Sequence, residues 1–300
     1  MKDQTKGYLL AFISVLSVSN VYIFSKAALN EVSLAQFGFY WFGFGIIWIG
    51  LYALKMRSFA IFKGFNRYTY MKFLTLGSIE LAATTFFFKA IHTIPNPAIT
   101  SFLGNISPVF VLTLSFFFLK ERLNRIELIG VLLAITGAFI IGYKGGTDLK
   151  TMFIDGTQYI VYSALLSSTI SVISKKYIHT LSPVLIALNR TFFLLTFSTV
   201  MMFVQHKSFI IPESALKNIL FGSILGPFLT VILGLLALQY IDLSKKSMIS
   251  STKSLFILLG AYLYFGQFPK IYEIFGGILS ISGVLLIITG RMKAKRKDVV

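Results

Sequence analysis

Ten apolar stretches follow one another along the chain, separated by short polar connections: about 7 to 28, 33 to 54, 69 to 92, 97 to 119, 125 to 142, 156 to 176, 182 to 205, 214 to 240, 246 to 265 and 270 to 290. A hydrocarbon core about 30 Å thick is spanned by roughly 20 helical residues. Backbone polar groups in lipid must be paired within their own segment, so the pattern predicts an all-α integral membrane protein with ten transmembrane helices. The first stretch opens on Lys2 and Lys6, as a signal peptide would, but its apolar run is too long for one and it carries Lys26.

The polar positions within these stretches recur. Gly7, Ser14, Leu16, Ser19, Ser25, Lys26 and Ser33 match, without a gap, Gly156, Ser163, Leu165, Ser168, Ser174, Lys175 and Ser182. In a register three residues shorter, Glu127, Gly130, Leu133 and Gly137 match Glu273, Gly276, Leu279 and Gly283. Two repeats are therefore predicted, 1 to 146 and 147 to 300, with five helices each. An odd number of crossings turns the second repeat over, giving a five-plus-five inverted repeat. Small residues form one face of the last helix in each repeat: Gly130, Ala134, Ala138 and Gly142 in the first, Gly276, Ser280 and Gly283 in the second. Close helix packing accounts for such faces.

Composition agrees with the pattern. Of 300 residues 56% are hydrophobic and 13% charged, with no cysteine, whereas soluble domains are about 25% charged. The formal charge of +17 lies in the connections. With the N-terminus inside, the inner segments hold Lys2 and Lys6, Lys55 to Lys72, Lys120 to Arg125, Lys175 and Lys176, Lys245 and Lys246, and the tail from Arg291 to Lys297. The outer loops hold Lys144, Lys150, Lys207, Lys217 and Lys270. This asymmetry predicts cytoplasmic termini and a multi-pass protein of the inner (plasma) membrane. Charge spread over every inner loop, with no single basic groove, argues against nucleic acid. The basic tail suits anionic headgroups of the lipid bilayer.

Residues 103 to 142, LGNISPVFVLTLSFFFLKERLNRIELIGVLLAITGAFIIG, carry Pro108 in the fourth helix, a Glu121-Arg122 turn and a fifth helix punctuated by Gly130 and Gly137. This stretch resembles the signature of the EamA-type transporters of the drug/metabolite transporter superfamily. Ser19, Asn20 and Lys26 look like the family's first helix, and Arg190 stands where members often place an arginine. The resemblance implies a secondary transporter of a small metabolite, with the last helix of each repeat at the periphery and the other four around a cavity. Two departures stand out: Gln267, Phe268 and Pro269 replace the second Glu-Arg turn, and Trp41 occupies the first-repeat position of Arg190.

A charge within hydrocarbon costs at least about 2.5 kcal/mol and so marks a candidate for function. Glu80, Arg190 and Lys253 fall well inside their stretches; each either lines a wet cavity or belongs to an internal ion pair. Glu80 is the mid-membrane carboxylate, read as a proton-coupling site or as the neutraliser of a cavity cation. The cationic excess favours an anionic or zwitterionic solute such as an amino acid. Lys26 and Lys89 lie near the outer interface, where snorkelling is the plain alternative. Asn20, Asn105 and Gln239 are candidate hydrogen-bonding groups and Trp41 a candidate pocket wall, against ordinary helix packing for each. Pro108 and Pro227 each remove a backbone donor and predict kinks.

No Walker loop or G-x-S-x-G elbow occurs, and His92, His179 and His206 lack metal-ligand spacing. Neither cofactor nor metal is expected. The reading is alternating access for a small-molecule substrate, coupled to protons or a counter-solute, with a homodimer left open. A membrane scaffold or receptor subunit is the main rival, and an integral-membrane enzyme a weaker one.

Overall fold

The computed structural model describes residues 2–56, 67–119, 124–143, 153–177, 181–242, 246 and 249–297. The Glu121-Arg122 turn lies outside them. Within them the chain is helical: α1 (Lys2–Leu29), α2 (Leu34–Lys55), α3 (Arg67–Thr93), α4 (Pro97–Gly104), α5 (Ser107–Leu119), α6 (Arg125–Gly142), α7 (Thr157–Tyr177), α8 (Pro183–Val204), α9 (Glu213–Ser223), a π-helical segment (Ile224–Thr230), α10 (Val231–Tyr240), α11 (Lys253–Phe265) and α12 (Ile271–Lys297).

Local chemistry sets many of the boundaries. Ser33 caps α2 by accepting from the Gln36 amide at 3.3 Å, while the Gln36 side chain accepts from the Ser33 amide at 3.1 Å. Asn124 and Glu127 form the same reciprocal box at the start of α6, with bonds of 2.9 and 2.8 Å. Each box satisfies donors that a helix start leaves unpaired. Pro97 and Pro183 occupy first turns, where a missing N–H costs nothing. Gly266, at a φ of 64°, ends α11 in the left-handed region.

Among the described residues eight segments are long and apolar enough to cross a membrane, including Pro97–Leu114 across the α4–α5 break and Glu213–Tyr240 across the π-helical segment. The apolar helix Ile249–Phe265 is shorter. α7 falls outside the eight, since serines, Thr169 and two lysines interrupt its apolar surface.

Regular α-helix is interrupted near both prolines. At Asn105 and Ile106 the chain makes single turns onto Phe102 and Leu103, and Pro108 sits in the first turn of α5. Pro227 lies inside the π-helical segment, where a widened turn accommodates the missing donor. Pro227 also fills the space beside Gly45, where a Cβ would lie 2.7 Å from its ring.

Helices far apart in the sequence interlock. α1 packs chiefly on α9, the π-helical segment, α10 and α11, and α7 packs on α3, α4 and α5. α2 lies on α8, and α6 on α12. The α6–α12 contact is backbone to backbone: a Cβ on Gly130 would stand 2.6 Å from the Gly283 carbonyl oxygen, and one on Gly137 2.5 Å from that of Gly276. These two contacts run in opposite residue order, so the helices are antiparallel. Apolar side chains such as Leu51, Leu132, Leu263 and Ile278 cover the exterior, as lipid requires.

Candidate functional site

A cavity of about 350 Å³ with charged and hydroxyl groups in its walls lies where α1, α3, α7, α8 and α10 meet. The serines that lower the hydropathy of α7 form one of its walls: Ser163, Ser167, Ser171 and Ser174 follow a helical stripe with Ile160, Ala164 and Ile170. Tyr22 of α1 and Phe87 of α3, edge to face at 5.0 Å between centroids, contribute an aromatic wall. Ser14, Thr230 and Gly234 line the facing side.

Charge enters this cavity from four residues. Arg190 Nε donates to Glu80 Oε2 at 2.9 Å, with the two side chains 16% and 18% exposed. Arg190 also donates through Nη2 to Thr84 Oγ1 at 3.0 Å. Thr84, one helical turn beyond Glu80, lies 3.5 Å from the same carboxylate, so α3 presents a ready-made two-point partner to α8. Lys246 and Lys253 complete the charged lining. They also line an adjoining lobe of about 160 Å³ with Gly104, Asn105, Ser107, Pro108, Val111, Ser171, Ser250 and Ser251.

The structure thus brings Glu80, Arg190 and Lys253 to one cavity, and Asn105 and Pro108 to its lobe. Asn105 is buried and donates to Ser254 Oγ at 3.1 Å, next to a Ser101–Ser254 hydroxyl contact of 2.8 Å, which ties α4 to α11. The other candidates lie elsewhere. Asn20 is exposed and donates to the Leu16 carbonyl at 2.9 Å. Gln239 is half-buried on α10 and outside the cavity lining. Trp41 is fully packed between Phe37, Phe88 and the glycines Gly222 and Gly226. Pro227 packs on α2.

Lys26 does not snorkel. It is buried, and its ammonium donates to the carbonyls of Ile91, His92 and Ile94 at 3.0, 3.1 and 2.9 Å. Lys89 does reach outward, over the Tyr159 ring at 4.3 Å. It also lines a separate cleft of about 350 Å³ between α2, α3 and α8, which shares Thr84 with the main cavity.

Lys246 is the functional candidate that the sequence pattern hid among inner-loop charges. The available signal was spacing: Lys246, Ser250 and Lys253 stand at i, i+4 and i+7, one face of a helix.

A helical bundle that spans the membrane around a charged, hydroxyl-lined cavity has the architecture of a solute transporter. The chain belongs to the EamA-like transporter family, whose model matches residues 5–143 and again 156–289. A protein of Archaeoglobus fulgidus described as an uncharacterized transporter is 27% identical over 292 residues, covering 94% of this chain and 97% of its own. A solved crystal structure superposes with a TM-score of 0.70 at 16% identity, over 94% of this chain and 96% of that one, a likeness of fold.

Proposed function

We propose that this protein is a secondary active transporter that moves a small metabolite, an amino acid or another anionic or zwitterionic solute, by alternating access. The observation that carries the reading is the Glu80–Arg190 pair facing a charged, hydroxyl-lined cavity inside the membrane bundle. Isolated scaffolding helices have no use for such a pair, because taking both charges out of water is costly.

Ten crossings in two inverted halves form part of the proposal. Matched positions of the repeats make matched contacts. Ser19 bonds the Lys253 carbonyl at the start of α11, and Ser168 bonds the Ser107 carbonyl at the start of α5. Glu127 accepts from the Asn124 amide, and Glu273 from the Lys270 amide. The crossed pairing of Gly130 with Gly283 and Gly137 with Gly276 is what a two-fold axis between α6 and α12 generates. The loop lysines and arginines support cytoplasmic termini in a plasma membrane. Helices packed across the halves would rock about the cavity, with protons or a counter-solute as the driving partner.

The test is flux in reconstituted vesicles. Glu80→Gln is expected to slow transport and to alter its dependence on pH. Unchanged transport and an unchanged pH profile would remove Glu80 from the mechanism. Absence of flux for every ligand that binds would favour a receptor or scaffold.

A further inference from the structure

We propose that the lobe bounded by Lys246 and Lys253 seats the anionic group, carboxylate or phosphate, of a small hydroxylated organic anion, and that the cavity selects such anions over amino acids. The inference rests on the transport reading above and narrows its substrate class.

Charge is the first argument. Glu80 is the sole carboxylate among the lining residues, and three cations face it: Arg190, Lys246 and Lys253. Arg190 already holds Glu80 at 2.9 Å. Neither lysine ammonium makes a hydrogen bond or a salt bridge among the described residues; Lys246 feels the charge of Glu80, whose carboxylate is already held by Arg190. A desolvated ammonium without a partner is unfavourable, and a carboxylate or phosphate relieves it with charge-assisted bonds. An amino acid would instead bring its own ammonium into a site whose one acid is occupied.

Position is the second. The lobe shares Gly104, Ser107, Ser171, Ser250 and both lysines with the main cavity, so both lysines border the space that would hold the body of a ligand.

The wall chemistry is the third. The hydroxyls of Ser163, Ser167 and Ser250 face the cavity and bond nothing among the described residues. A ligand carrying several hydroxyls pairs such groups, whereas a plain alkyl chain leaves them unpaired, which sites of this kind discriminate against strongly.

The experiment uses the purified protein in uncharged detergent, with thermal stability as readout. The probes are gluconate and glycerol 3-phosphate, compared with glycerol, propionate, alanine and putrescine. Gluconate or glycerol 3-phosphate is expected to raise the unfolding temperature, and the other four to leave it unchanged. Lys253→Gln and Lys246→Gln are expected to weaken the effective probe by about ten- to a hundredfold. Lys253→Arg should retain most of the affinity, and the exposed Lys217→Gln all of it. Stabilisation by alanine or putrescine with none by the two acids overturns the proposal, as does acid binding indifferent to both lysine substitutions. Should Lys253→Gln fail to fold, Lys246→Gln and the probe series decide the matter. Stabilisation by phosphatidylglycerol alone would overturn it in favour of a lipid headgroup. Binding of a probe without its counterflow in proteoliposomes would count against transport and leave the subsite standing.

Discussion

Lys26 and Lys175, matched positions of the two sequence repeats, each close the carbonyl end of another helix. Lys26 donates to Ile91, His92 and Ile94 at the end of α3, and Lys175 donates to Leu238 at 2.9 Å and Ile241 at 3.2 Å at the end of α10. The last carbonyls of a helix lack intrahelical donors and carry its negative end. One ammonium on each first helix satisfies them where no water need enter.

Lys26→Met is therefore expected to lower stability by about 3 kcal/mol, because it leaves buried carbonyls without a donor. Lys175→Met, at a half-buried position, should cost about 1.5 kcal/mol. Denaturant titration of the detergent-solubilised protein checks both. A stable Lys26→Met protein would refute the capping role.

The Glu80–Arg190 pair predicts a compensating pattern. Removing one partner strands the other, whereas Glu80→Gln combined with Arg190→Gln strands neither. The double variant should be more stable than the sum of the single effects implies, with a coupling of about 1 to 3 kcal/mol. Strict additivity in a double-mutant cycle would mean the contact carries no energy.

The α6–α12 interface predicts opposite responses from two glycines. Gly137→Ala puts a Cβ 2.5 Å from the Gly276 carbonyl oxygen, against backbone that cannot step aside. A loss of about 1 to 3 kcal/mol is expected. Gly50→Ala, with nothing within 4 Å, should be neutral or stabilise α2 by up to about 1 kcal/mol. Thermal unfolding of the two variants side by side separates close packing from a general intolerance of alanine.

Trp41→Ala tests whether this tryptophan binds substrate or holds helices together. Its indole fills the space left by Gly222 and Gly226, so the expected cost is about 3 to 5 kcal/mol of stability. The folded fraction should respond to ligand with unchanged affinity. A large loss of affinity with full stability would return Trp41 to the binding site.

The helices were legible in the sequence because apolar runs bounded by charge have few other solutions. α6 and α8 begin at Arg125 and Pro183, within one residue of the apolar stretches that start at 125 and 182. What the pattern could not express was which side of each helix faces inward. Asn20 and Ser19 are neighbours in one polar segment, yet Ser19 reaches α11 while Asn20 turns outward. Trp41 stands in for Arg190 by repeat position but meets glycines on α9 and the π-helical segment, so it packs where arginine pairs. Lys246 was grouped with the loop charge, since its place in the cavity wall is set by tertiary packing that the pattern of apolar and polar positions does not state. The widened turn at Pro227 likewise depends on α2 offering Gly45.

The packing of α1 against α9, α10 and α11 also bears on how the chain is made. Ser14 of α1 bonds the Thr230 carbonyl, a separation of 216 residues. Synthesis proceeds from the N-terminus, so α1 enters the bilayer well before α9, α10 and α11 exist. During that interval Ser14, Ser17 and Ser19 must be tolerated by lipid or shielded by insertion machinery, so the earliest helix waits for its seat until the chain beyond residue 213 is made. An N-terminal fragment ending after α6 would lack the principal partners of α1, and this predicts that the two halves are not separable folding units.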